Sequence, residues 1–231
     1  MSWIQARWRW LLLNLFGLAI LLLLINQIVR GYTSHLAFTG SIAPFGAQAQ
    51  AMLDAGKWAV RFLLICLSMT PLYILFGWRW THGLRKSAGL WAFAFGSLHF
   101  TLYAAETDLR QSGIHLVKEP FLATGLLTLS ILTVLALTSN RFAMRSLGKT
   151  WKRLHRFVYA AGILAILHGL LAAQASKKIL LLDPTGPQEL LIYLVILSAL
   201  LLIRVPAVRS RAGQFKRKRK ARTVTLMQSD G

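Results

Sequence analysis

Three histidines lie inside or at the edge of long apolar runs. His99 follows Ala94-Phe95-Gly96-Ser97-Leu98, His155 sits in Lys152-Arg153-Leu154-His155-Arg156-Phe157, and His168 in Ile166-Leu167-His168-Gly169. Ionisable groups are costly in hydrocarbon, so histidine there is a functional candidate. Neutral imidazole is a good metal ligand, and two on neighbouring helices at one depth can clamp a haem iron from both faces. Such an iron has no open position, so it would shuttle electrons rather than bind substrate. The competing reading is a histidine held in an interhelical hydrogen bond.

Depth along the helices decides which histidines can pair. His99 falls roughly 18 Å beyond the inner start of its segment, and His168 roughly 20 Å above His155, at about 1.5 Å per residue. His99 and His168 should therefore share an outer layer. His155 marks an inner layer whose level on the His99 helix is Arg85, and Arg85 and His99 fall on one helix face. Arg85 is not a usual haem ligand. It either pairs with a haem propionate or is a topology-setting charge. On an ideal helix His155 and His168 point about 220° apart, so a bend near Gly162, or His155 in the starting turn, is needed. Gly89, Gly96, Gly162 and Gly169, on the two histidine helices, permit close approach of a macrocycle or of another helix.

These residues need membrane helices to position them. The 231-residue chain is 55% hydrophobic, with a mean hydropathy of +0.53, and its apolar residues come in blocks near the roughly 20 that span a bilayer. Hydropathy predicts helices over 11–29, 57–77, 87–107, 120–139, 155–173 and 189–205: an all-α, polytopic bundle of six transmembrane helices. Pro71 should kink the second or mark its last turns, and Pro120 suits the first position of the fourth. The first helix reads as retained rather than cleaved, being long for a signal peptide. The stretch 31–55 reads as an outer loop, and no internal repeat is evident.

The 27 Lys and Arg against 7 Asp and Glu give a net charge of +20. They alternate between rich and poor gaps. Arg7 and Arg9, then Arg79, Arg85 and Lys86, then Arg141 to Arg156, and the tail from Arg204 through Lys216–Lys220 to Arg222 are rich. Arg30 and Lys57, Arg110 and Lys118, and Lys177 and Lys178 mark the poor ones. The positive-inside rule puts both termini and the rich gaps in the cytoplasm. Topology thus accounts for the charge, and no nucleic-acid partner is implied. The tail should be disordered and drawn to anionic membrane lipid. Arg61 either snorkels or reaches a propionate or quinone headgroup. His35, His82 and His115 read as loop residues, and the single cysteine, Cys66, as a core residue. Gly148-Lys149-Thr150 lacks the earlier glycine of a phosphate loop, and no dinucleotide fingerprint occurs.

The runs Arg85-Lys86-Ser87-Ala88-Gly89-Leu90-Trp91 with Leu98-His99, and Ser146-Leu147-Gly148-Lys149-Thr150-Trp151-Lys152-Arg153-Leu154-His155-Arg156-Phe157-Val158-Tyr159 with His168, resemble the ferric reductase-like transmembrane family. The resemblance extends over about residues 53–205, between an N-terminal helix and outer loop (1–52) and the basic tail (206–231). It is nearest to the bacterial branch serving methionine sulfoxide repair, where Arg85 stands in place of a fourth histidine. It implies a multi-pass protein of the bacterial inner membrane with one or two b haems held by His99, His155 and His168, and admits FMN. Electrons would come from a cytoplasmic flavin reductase or reduced flavin and go to a periplasmic molybdopterin reductase subunit. A metal reductase with another acceptor, or a haem-free scaffold, are the alternatives.

Overall fold

In the computed structural model the described residues are 3–39, 45–106, 119–175 and 183–204, and among them all regular structure is helical. Among the described residues eight helices follow in order: α1 (Trp3–Thr39), α2 (Phe45–Phe76), α3 (Thr81–Glu106), α4 (Pro120–Leu137), α5 (Arg141–Leu147), α6 (Lys149–Leu154), α7 (Phe157–Ala175) and α8 (Gly186–Leu202). Among the described residues four stretches are long and apolar enough to cross a bilayer, Arg7–Gly31, Ala49–Phe76, Pro120–Leu137 and Lys149–Ala175, and α8 is a shorter apolar helix. The chain is a multi-pass membrane protein.

Local chemistry explains the helix ends. Pro120 opens α4, where its missing N–H costs nothing. Asn140 caps α5 by accepting a hydrogen bond from the Ala143 amide at 2.7 Å. Gly77 at φ 75° ends α2, and Gly148 at φ 49° separates α5 from α6; both are left-handed positions that glycine adopts without strain. Pro71 lies in the last turns of α2, which runs on to Phe76.

The outer loop expected over 31–55 is corrected. α1 continues to Thr39, and α2 begins at Phe45, so much of that stretch is helical. Ala47, Gln48, Ala49, Gln50 and Ala51 favour helix although they are not lipid-like. Gln50 reaches Asp54 one turn on at 3.4 Å, and Gln27 of α1 reaches the same carboxylate at 3.5 Å. Two other expected loop residues are also corrected: His35 belongs to α1, and His82 to the first turn of α3. His82 lies against Tyr73, ring centres 4.5 Å apart. His115, Arg110, Lys118, Lys177, Lys178 and the tail beyond Arg204 lie outside the described residues.

α2 packs along α3, and α4 along α7; α1 covers α2 and α3, while α8 closes against α7 and α2. The core is aromatic on one side and aliphatic on the other. Phe62 and Phe95 stack at 5.4 Å between ring centres and are fully buried, with Leu67, Ile166 and Leu197 also buried. Trp91 of α3 lies on Gly17 of α1, where no Cβ intervenes, and its indole donates to Asn14 at 3.2 Å. The perimeter is apolar too: Leu15, Leu22, Leu23, Leu137 and Val195 face outward. Outward leucine on this scale suits lipid and not water.

Candidate functional site

α3 and α7 bring His99 and His168 together. Their ring centres lie 5.9 Å apart at an interplanar angle of 79°. This is about the span of two imidazoles each roughly 2 Å from one shared metal. His99 Nδ1 is 2.8 Å from the carbonyl oxygen of Met52 on α2. His168 Nδ1 is 2.7 Å from that of Phe121 on α4. A carbonyl can only accept, so both Nδ1 atoms carry a proton. In the neutral rings each Nε2 then carries the lone pair. A backbone carbonyl on one ring nitrogen is how proteins orient a histidine whose other nitrogen binds metal.

The two half-sites repeat. Each histidine bonds a carbonyl 47 positions earlier, and four residues after that carbonyl comes a glycine. A Cβ on Gly56 would stand 3.0 Å from His99 Nδ1, and one on Gly125 would stand 2.8 Å from His168 Nδ1 and Cε1. Met52, Gly56, Phe121 and Gly125 escaped the sequence reading as site residues. The signal was there as a constant offset between each glycine and its histidine. Of the two roles open to the glycines on the histidine helices, contact with a neighbouring helix is the one seen at three. Gly89 faces Cys66, Gly162 faces Leu67 and Leu197, and Gly169 faces Leu190, so these serve helix packing.

His155 is held differently. His155 lies in the turn between α6 and α7, with φ −70° and ψ −3°; this frees it from the rotation of α7 and resolves the mismatch with His168. Its ring stacks on Trp151 at 4.0 Å, and Trp151 is anchored by its indole to the Thr138 carbonyl at 2.9 Å. His155 Nδ1 lies 3.2 Å from the Trp151 carbonyl and Nε2 lies 3.3 Å from Ser139 Oγ. Arg85 is within electrostatic reach of His155 and of the buried Cys66.

Arg61 does not extend freely. It donates to Tyr193 Oη at 2.8 Å, pairs with Glu189 at 3.3 Å and lies over the Trp58 ring at 4.6 Å. Lys57 pairs with Asp183 at 2.7 Å. These contacts tie the middle of α2 to the start of α8.

Among the described residues no group of three or more His, Cys, Asp and Glu side chains is placed to hold a metal ion. Two facing imidazoles therefore suit a metal that brings its own equatorial ligands, as in a haem.

Fold and site together define a helical membrane protein with a paired-histidine centre, and the comparisons agree with that class. Residues 55–166 match the family model for the ferric reductase like transmembrane component. The chain is 36% identical over 190 residues to the protein-methionine-sulfoxide reductase heme-binding subunit MsrQ of Azospira oryzae, covering 80% of this chain and 76% of that protein. The chain belongs to the MsrQ family.

Proposed function

We propose that the chain is a haem-bearing membrane subunit that carries electrons to a methionine sulfoxide reductase, with His99 and His168 holding one b-type haem. The observation that supports this most is the pair of opposed imidazoles, each with Nδ1–H committed to a backbone carbonyl. The relative's name, a heme-binding subunit, supports it independently. When bound, the haem would supply one-electron transfer. The chain's part is to fix both rings through Met52 and Phe121, and to surround the pair with apolar helices.

On this reading residues 53–205 form the haem domain, crossed with the first helix in six spans, both termini being cytoplasmic. The alternation of basic-rich and basic-poor gaps supports that topology. Reduced flavin or a flavin reductase would deliver electrons at the basic inner face, in the bacterial inner membrane. A periplasmic molybdopterin reductase would take them at the face where Lys57, Asp183 and Glu189 meet. His155 and Arg85 are the residues that would face a second haem at the inner layer.

The test is reconstitution. Purified protein, expressed with haem supply, should show a low-spin Soret band and pass electrons from reduced flavin to a co-purified methionine sulfoxide reductase. Absence of bound haem would sink the reading. Electron delivery to ferric chelates but not to the reductase would favour the metal-reductase alternative.

A further inference from the structure

Arg204 follows α8 at the inner end of the bundle, by the polarity proposed above. Its Nη2 donates to the Leu67 carbonyl of α2, and its guanidinium lies over the Tyr159 ring at 4.6 Å. Its Nε and Nη1 are buried and have no hydrogen-bond partner. A buried, charged donor left unpaired is expensive, by more than a neutral one. Arg85 and Cys66 lie within electrostatic reach of Arg204, so a second guanidinium adds to the same unbalanced charge. No carboxylate answers it among the described residues. Asp183 and Glu189 are engaged by Lys57 and Arg61 at the outer end. Asp54 is held there by Gln27 and Gln50, and Glu119 precedes α4 beside Phe121, the His168 partner. Apolar Phe157 and Leu202, 54% and 61% exposed, flank this end. A ligand here would need a negative head and an apolar body.

We infer that Arg204 and Arg85 form a second binding site, roughly 20 Å along α3 from His99, that takes the oxyanion of an amphipathic molecule. Two sources offer that chemistry: the carboxylate of a porphyrin side chain and the phosphate of a membrane lipid. The site itself rests on the unpaired guanidinium and not on the His99–His168 reading.

The experiment uses the full chain purified in mild detergent, as wild type, Arg204→Gln, Arg204→Lys and Arg85→Gln. Phospholipid per chain is read by phosphorus assay and native mass spectrometry, haem per chain by absorbance, and reduction potential by redox titration. If lipid phosphate is the ligand, Arg204→Gln loses tightly bound phospholipid severalfold with haem unchanged. If a porphyrin carboxylate is the ligand, phospholipid stays and the haem content or one midpoint potential falls. Arg204→Lys retains part of either, because charge remains, and Arg85→Gln shifts the same readout in the same direction. Full retention of phospholipid, haem and potentials in folded Arg204→Gln overturns the inference. If Arg204→Gln does not fold, the same retention in Arg85→Gln and Arg204→Lys overturns it. Wild-type protein without haem would sink the preceding reading while leaving the phospholipid measurement to decide this one.

Discussion

Gly125 and His168 are packed so that a Cβ on the glycine would stand 2.8 Å from the imidazole Nδ1 and Cε1. The ring must lie on bare backbone to reach the Phe121 carbonyl. Gly56 holds His99 in the same way at 3.0 Å. Gly125→Ala should therefore displace His168, with an overpacking cost of about 1–3 kcal/mol. Gly56→Ala should do less, since its contact is longer. Haem per chain and EPR g-values of the two variants check this; equal, wild-type spectra in both would show that the glycines do not set the rings.

Removing either ring should abolish the low-spin bis-histidine spectrum if His99 and His168 are the ligands. His99→Ala and His168→Ala are expected to lose it, whereas His155→Ala keeps the outer centre, since Trp151 and Ser139 hold His155 in a separate layer. Absorption and EPR spectra distinguish these. A wild-type spectrum in His168→Ala would refute the pairing.

The ion pairs of Lys57 and Arg61 should matter modestly for stability. Asp183→Asn removes the charge from the 2.7 Å contact with Lys57 and is expected to cost about 1.5–3 kcal/mol, the range for hydrogen bonds to charged groups. Thermal unfolding in detergent should show a lower Tm, with a smaller difference from wild type at high salt.

The core and the lipid face should respond oppositely to truncation. Phe62 is fully buried among aromatic rings, whereas Leu23 is 66% exposed. Phe62→Ala should cost about 3–5 kcal/mol through the cavity it leaves. Leu23→Ala should stay within about 0.5 kcal/mol in detergent, as exposed substitutions do.

Topology can be read with thiol labelling. The chain has one cysteine, and it is buried, so single cysteines introduced at Ser2 and Ser229 report the two ends. Impermeant maleimide applied to intact cells should miss both if the termini are cytoplasmic; labelling of either would overturn the six-crossing reading.

Much of this protein was legible in one dimension. Apolar block length announced membrane helices, and a fixed rise per residue put His99 and His168 at one depth; both depend only on position along the chain. Lipid-like hydropathy was blind to helix that is not lipid-like, which is why 31–55 read as a loop and α5 and α6 were not foreseen. Tertiary packing decided the rest. Which carbonyl meets each imidazole, that Gly56 and Gly125 rather than Gly162 or Gly169 bear the rings, and that Arg204 reaches Leu67 and Tyr159 follow from helix neighbours and their rotation. Those are set by side chains far apart in sequence meeting across an interface, and no local pattern carries them.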